Sequence, residues 1–443
     1  MRRYLEAMLA EKRVRVVERE VSGRFELAAV TQASQRESDA PLLFRRVAGS
    51  RYPVMTNIFG SRPRLTKMLG GDKSFCKRWT ELMATPVVPP IDVAEPNDLE
   101  EIRLSDLPAI TYFELDAGPY LTAGVYLANE PDSKVPNLSF HRAQIISDTE
   151  LRVRLGGPHD LTRYQAKAEA RGEALDVAIM LGPPPELVLA AAAPIAYDES
   201  ELEVAGRLAG RPLPMRRCRT VPLSVPAETE IVIEGRILPN VRRPEGPFGE
   251  FLGSYVPVGD NHVFEVSAVI ARRDAIYHAL VCGSPEDLRL LELSVATRVY
   301  QALLAAKQRG IIDVACVPNV LSTVVQIEQL YEGHARQVML TAMGANHDYS
   351  KSVLVVDEDV DINDFDDVWW AYLTRGRADA RALVVPDVPG FYRDPHKDFF
   401  GRLGIDATVP FGRKAEFLRK RIPGAEAIDL GSYIARGRWV QDP

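Results

Sequence analysis

The sequence predicts an α/β protein of mixed α+β character: an N-terminal α/β region, a central antiparallel barrel-like core, a long helix and a C-terminal α/β unit. Three observations carry this. Segments of alternating polarity cluster mid-chain: LRVRL sets Leu151, Val153 and Leu155 against Arg152 and Arg154, and EIVIEGRIL and HVFEVSAVIARRD repeat the pattern, as half-buried antiparallel strands do. SPEDLRLLELSVATRVYQALLAAKQRG opens with a Ser-Pro-Glu-Asp helix start and carries Leu290, Leu291, Leu293, Val295, Val299, Leu303 and Leu304 at helical spacing as far as Gly310. Beyond it, SVLVVDEDVDI and ARALVVPDV are apolar runs ending in acids and separated by helical stretches, the pattern of parallel strands whose carboxyl ends carry functional or capping residues.

Taken in chain order, the first region opens with an amphipathic helix from Tyr4 to Arg13, followed by the strand-like runs RVRVVE and PLLFRRV. The stretch TPVVPPIDVAEPNDLEE, Thr85 to Glu101, reads as a linker, because Pro86, Pro89 and Pro90 exclude both a helix and a central strand. The alternating strands follow from about Asp116, with one helix, LTRYQAKAEARGE, among them. The expected domains are residues 1–110, 111–305 and 306–443.

Composition narrows the function classes. Lys plus Arg number 54 against 61 Asp plus Glu, a net charge of -7, so no broad basic face awaits a nucleic-acid backbone. The start, MRRYLEAMLAEKRVRVVEREV, is charged every few residues, unlike a secretory signal, and no apolar run is long enough to span a bilayer; the expected location is the cytoplasm. Cys76, Cys218, Cys282 and Cys316 are scattered without a CxxC pair, which points to free thiols and away from a disulfide framework or zinc knuckle.

EGPFGE, Glu245 to Glu250, places two carboxylates across a spacer that cannot be regular helix. Two glutamates in a loop are more often hydrated surface residues than a site. Here the context argues otherwise. Gly246 and Gly249 allow unusual angles or close approach, Pro247 fixes φ, and Phe248 is costly to leave in water. Two acids aimed into one partly dry pocket repel, so one of them takes up a proton or finds a cation, which is what a proton-transfer site needs.

RRPEGPFGEFLGSY resembles the signature of the UbiD-type decarboxylases, which use prenylated FMN to remove or add a carboxyl group on unsaturated or aromatic acids. RYPVMTNIFGSRPRL, DAGPYLTAGVYLANEPDSKVPNLSFHRAQ, VPAETEIVIEG and SKSVLVVDEDVDI resemble further stretches of that family, in its order, so the resemblance spans nearly the whole chain. It implies a central flavin-reductase-like split β-barrel, a long linker helix and a C-terminal α/β dimerisation domain, with a homodimer or a hexameric ring of dimers as the assembly.

The resemblance also implies site residues. Arg142, Glu245 and Glu250 take the places of the catalytic trio, Arg142 lying five residues after Asn137. Asn137, His159 and Glu201 take those of the ligands to a Mn²⁺ or Mg²⁺ ion bridging the cofactor phosphate, with K⁺ left open as a companion. Ser139 and Phe140 resemble flavin-contacting positions, and Lys351 a lysine that reaches the phosphate. The implied chemistry is reversible non-oxidative decarboxylation through a covalent substrate–cofactor adduct, Arg142 gripping the substrate carboxylate, Glu245 orienting Arg142 and Glu250 protonating the carbon that CO2 leaves. The implied partners are a small unsaturated or aromatic acid, CO2 and a flavin prenyltransferase that supplies the cofactor.

The residue types agree. An amide oxygen, an imidazole and a carboxylate suit Mn²⁺ or Mg²⁺ better than structural zinc. Singly, Asn137 reads as a turn residue, His159 as a loop histidine and Glu201 as a solvated helix start; only their joint match reverses that. His141, His262, His278, His334, His347 and His396 read as structural or surface residues. Pro158, where relatives often have a glutamine, and Phe251 depart from the family pattern and bear on substrate identity more than on reaction class. A glycosidase or metal hydrolase using the two glutamates leaves Arg142 and the metal set without a role, and an aromatic content of 8% is thin for sugar stacking. A non-catalytic subunit of a multi-component carboxylase remains the alternative, and retention of the trio argues against it.

Overall fold

The computed structural model describes residues 1–71, 74–157, 159–346, 348–388, 390–391 and 401–433. Pro158, His347 and His396 lie outside the described residues. The first helix, Arg2–Ala10, buries Leu5 and Met8 and stops short of Arg13, where Lys12 takes a left-handed φ of 56°. A small sheet follows. Arg15–Val17 pairs parallel with Leu42–Phe44, which pairs antiparallel with Val54–Thr56, and Tyr277–His278 returns from much later in the chain to close that sheet.

The core of the molecule is a nine-stranded sheet in which every pairing is antiparallel. Its longest strands, Ile231–Glu245 and Gly259–Arg272, pair with each other. From Ile231–Glu245 the sheet runs through Leu175–Leu181 and Val125–Asn129 to Pro136–Phe140. From Gly259–Arg272 it runs through Glu150–Val153 and Ala143–Ser147 to Tyr120–Leu121. The strands at or next to the two ends, Pro136–Phe140 and Ala143–Ser147, are joined by His141 and Arg142 alone. Three Cα–Cα steps of about 3.8 Å cannot bridge a flat sheet of this width, so the sheet must roll up, leaving its split at those two residues. The alternating segments of the sequence are the strands of this rolled sheet, buried on the face that meets Leu151, Val177, Ile233 and Phe264.

Two readings change in detail. The proline-rich segment is irregular at Pro86, Pro89 and Pro90, but its end forms a strand, Leu99–Ile102, on the flank of Gly259–Arg272. The three prolines are clear of the ladder, so nothing prevents pairing beyond them. In the C-terminal unit the sheet order is Ile311–Cys316, Ser322–Ile327, Ser352–Asp357, Gly401–Asp406, Ala382–Pro386; the Ser352–Asp357 run pairs parallel on both sides as its pattern suggests, while the two outer pairings are antiparallel, that of the Ala382–Pro386 run among them. Residues 317–321 are too short a connection for a parallel crossover, which forces the first of these. The acid ending the Ser352–Asp357 run proves structural: Asp357 accepts from Val409 N at 2.6 Å, Gln329 Nε2 at 2.9 Å and Arg375 Nη1 at 3.0 Å.

The long helix runs from Pro285 to Ala305, with Ser284 at its N-cap. It is buried on most sides, with Leu290, Leu293, Ala296, Val299 and Leu303 packed between the N-terminal helices and the C-terminal sheet. Two acids on it tie the regions together. Glu286 accepts from Asn57 N, Phe59 N and His278 Nε2, and Glu292 pairs with Arg62, which also reaches Asp313 at 3.0 Å.

Candidate active site

The split in the sheet delivers Arg142 to the strand end that carries Glu245. Arg142 Nε donates to Glu245 Oε1 and Nη2 to Glu245 Oε2, each at 3.0 Å, a bidentate pairing, while Nη1 donates to Glu250 Oε1 at 3.2 Å. Glu245 also accepts from Tyr120 Oη at 3.0 Å and Asn261 Nδ2 at 2.9 Å. Burial and the neighbouring Glu245 charge push the Tyr120 phenol above its usual range, which keeps it a donor. The Arg142 guanidinium lies over the Phe248 ring at 4.5 Å, so the phenylalanine of EGPFGE forms a floor for the cation.

Why EGPFGE holds this shape follows from its neighbours. Gly246 has φ +98°, a region closed to most side chains, and lies against the Pro257 carbonyl. Gly249 is pressed on the Phe113 ring, which any Cβ would overlap, and its N–H donates to Asp116 Oδ1 at 2.8 Å. Phe248–Gly249 forms a short strand with Tyr255–Val256. Glu250 is therefore aimed by backbone on both sides.

A cavity of about 490 Å³ opens beside the clamp, within the range of ligand pockets. Glu250 and Arg142 line it; Glu245 does not. Asn137, Ser139, Phe140, His159 and Glu201 line the same cavity, so of the residues singled out from the sequence all but Glu245 and Lys351 face it. Lys351, just before the Ser352–Asp357 strand, is not among its lining residues, whereas Asn346, Asp348 and Tyr349 are.

Asn137 and Ser139 project from one face of the Pro136–Phe140 strand. Glu201 opens the Glu201–Ala209 helix behind it, and His159 is the N-cap of Asp160–Ala170. Glu201 Oε2 accepts from Leu138 N at 2.9 Å and Oε1 from Asn137 Nδ2 at 3.0 Å. Burial pushes the Glu201 carboxyl up to about 7, against these hydrogen bonds. A buried carboxylate bonded to an amide, with an imidazole lining the same cavity, fits a divalent cation. Among the described residues no cluster of three His, Cys, Asp or Glu could hold a metal alone. The set thus suits an ion that completes its shell with phosphate and water oxygens, not a closed structural site.

Sequence reasoning missed three cavity residues. His141 is buried in the split and is no surface residue: its Nε2 is 3.0 Å from Ser139 Oγ, and its ring stands edge-on to His159 at 5.6 Å. Asp287 and Arg298 reach the cavity from the long helix. Their helical positions relative to Glu250 and His159 are tertiary facts without local sequence signal. Phe251 lines the cavity too, 5.2 Å from Phe391 of the C-terminal unit.

A rolled antiparallel sheet, a carboxylate–arginine–carboxylate clamp and a mixed oxygen and nitrogen donor set around one cavity define a carboxy-lyase of the UbiD class. Residues 5–83, 88–285 and 290–407 match the N-terminal, Rift-related and C-terminal domain models of 3-octaprenyl-4-hydroxybenzoate carboxy-lyase, and the chain belongs to that UbiD family. Anhydromevalonate phosphate decarboxylase of Methanothermobacter thermautotrophicus is 34% identical over 437 residues, covering 95% of this chain and 99% of its own. The protein of the same name from Methanosarcina mazei is 33% identical over 426 residues, covering 92% and 95%. The structure of the UbiD-class enzyme HmfF from Pelotomaculum thermopropionicum in complex with FMN superposes with a TM-score of 0.91 at 33% identity, covering 98% of this chain and 99% of that one. No helix among the described residues is long and apolar enough to cross a membrane.

Proposed function

We propose that the chain catalyses the reversible, non-oxidative decarboxylation of an α,β-unsaturated or (hetero)aromatic carboxylic acid with prenylated FMN in the cavity. The observation that carries this reading is the asymmetry of the clamp. Glu245 is spent on Arg142, Tyr120 and Asn261 away from the cavity, whereas Glu250, which shares the same arginine and accepts from Phe251 N, faces the cavity. One carboxylate fixes the arginine and the other is placed to move a proton. Prenylated FMN, when bound, supplies the electron sink for the pair that CO2 leaves in the plane of an unsaturated carbon, where no side chain can delocalise it. Arg142 orients the substrate carboxylate, and Glu250 delivers a proton to the carbon.

Asn137, His159 and Glu201 would hold Mn²⁺ or Mg²⁺ against the cofactor phosphate. Arg163 and Arg298 line the same end of the cavity and add positive charge there; both arginines act electrostatically on Asp160, next to His159. Ser139 and Phe140, which line the cavity, would contact the flavin. FMN and prenylated FMN are named in two HmfF structures, one of them an evolved dimeric form, and the proposed assembly of this chain is a homodimer or a hexameric ring of dimers.

The test is purification after co-expression with a flavin prenyltransferase, followed by a visible spectrum and CO2 release from a panel of acids. The panel includes anhydromevalonate phosphate, for which two relatives are named, beside aliphatic enoic and aromatic acids. Flavin absorbance with CO2 release from one class is the expected result. Flavin binding without release from any acid favours a non-catalytic subunit.

A further inference from the structure

A proton donor that works once per turnover has to be recharged, and Glu250 has a neighbour suited to that. The Asp287 side chain rises from the first turn of the Pro285–Ala305 helix into the same cavity as Glu250. The preceding turn packs against the glutamate's own segment. Gly283 has φ +75°, and a Cβ there would come within 3.3 Å of the backbone of Phe251, the residue after Glu250. Gly283 N donates to Asp287 Oδ2 at 2.7 Å, so the turn that touches Phe251 also fixes the aspartate.

The groups around Asp287 leave it as the exchangeable acid. Glu286, beside it in sequence, accepts from Asn57 N, Phe59 N and His278 Nε2 and points into the protein. Burial pushes the Cys282 thiol well above its usual range, so it remains a donor toward Asp287 and is no proton carrier near neutral pH. Arg142 is already paired with Glu245 and Glu250. Asp287 makes no ion pair among the described residues, being held by one backbone N–H and the thiol.

We propose that Asp287 is the proton-positioning residue that recharges Glu250 between turnovers. The inference rests on the carboxy-lyase reading. In each cycle the substrate carboxylate leaves as CO2 and the product carbon takes the proton of Glu250. Asp287 passes its proton to the Glu250 carboxylate, directly or through one water, and takes another from solvent. One solvent proton is consumed per CO2, which balances the reaction. Burial pushes the Asp287 carboxyl up to about 6; the Gly283 N–H and Cys282 thiol oppose this, and the charges of Glu250 and Glu286 add to it. A group so placed is protonated for an appreciable fraction of the time close to neutrality, as an aspartate in water is not.

The experiment compares wild type with Asp287→Asn in the flavin-loaded protein. Asparagine keeps an oxygen for the Gly283 N–H and removes the proton. Flavin affinity, read by fluorescence quenching, and KM should stay within about twofold, and the first turnover of enzyme preincubated at low pH should keep its rate. Steady-state kcat should fall on the order of 10²-fold. The decline of wild-type kcat as pH rises through about 6 should be missing from the variant, and Asp287→Glu or added formate should restore turnover. A steady-state rate and pH profile equal to wild type overturns the relay, as does a first turnover slowed as much as later ones. A wild type that releases CO2 from no acid sinks the carboxy-lyase reading itself; a working wild type with an indifferent Asp287→Asn sinks only the relay.

Discussion

Arg142 grips Glu245 through two hydrogen bonds of 3.0 Å and touches Glu250 through one of 3.2 Å, so two glutamates five positions apart play unequal parts. The inequality can be measured. Glu250→Gln keeps the shape and the Arg142 contact but has no proton to give; flavin binding and thermal stability should stay near wild type while kcat drops by about 10²- to 10⁴-fold. Glu245→Gln should lose activity and stability together. Its cost should fall short of the about 3–5 kcal/mol for stripping a buried pair, since Glu250 still faces the guanidinium. Melting curves and CO2 release on the two proteins separate these outcomes.

Gly249 tests whether the backbone aims Glu250. A methyl group there collides with the Phe113 ring, so Gly249→Ala must move either the ring or the short Phe248–Gly249 strand. Overpacking of this kind costs about 1–3 kcal/mol, and kcat should fall with KM little changed because Glu250 is displaced. Gly249→Ala combined with Phe113→Leu should recover much of the lost rate.

The sequence carries the site to the extent that its chemistry is local. EGPFGE announces a rigid acid-bearing turn by itself, and Asn137, Ser139 and Arg142 lie on one short strand and the two-residue joint that follows it. Asp287 does not announce itself, because the contact that matters is a packing contact between Gly283 and Phe251, residues far apart in sequence. His141 escapes for a related reason: a histidine between two strands looks like any turn residue until the sheet rolls and encloses it. The Leu99–Ile102 strand was masked by the prolines before it, and the antiparallel pairing of Ile311–Cys316 depends on connection length, which apolar runs do not encode.

On the proposed metal set of Asn137, His159 and Glu201, removing a divalent ion should release the flavin phosphate. Extensive dialysis against a chelator should lower flavin retention at least tenfold, and Mn²⁺ should restore it. Glu201→Gln keeps an acceptor for Leu138 N but loses the charge, and should no longer respond to Mn²⁺. Flavin fluorescence titrated with metal reads both.

Arg62 links three regions, pairing with Glu292 of the long helix and Asp313 of the C-terminal sheet and donating to the Val314 carbonyl. Arg62→Met leaves Glu292 with Arg289 and the Cys316 N–H and leaves Asp313 buried without a cation among the described residues. Destabilisation by about 3–5 kcal/mol is expected. Glu292→Gln should cost less, since Arg62 keeps Asp313 and Val314. Chemical denaturation midpoints on the two variants check the order.

Acid stability should depend on Glu169, which anchors the Asp160–Ala170 helix that His159 caps. Burial alone would raise its carboxyl, but hydrogen bonds from Arg242, Gln165 and the Asn240 N–H outweigh that and hold it at about 2. Because the folded value lies below the unfolded one of about 4.5, the contribution is fully present above pH 4.5 and is lost as pH falls through 2. The shift corresponds to roughly 3 kcal/mol, trimmed to about 2 by solvent at the partly exposed Arg242. Glu169→Gln should therefore lower stability by about that amount at pH 7 and flatten the acid side of the stability curve. Denaturant midpoints from pH 7 down to pH 2 would expose a wild-type slope that the variant lacks, and parallel curves would assign the acid sensitivity to other carboxylates.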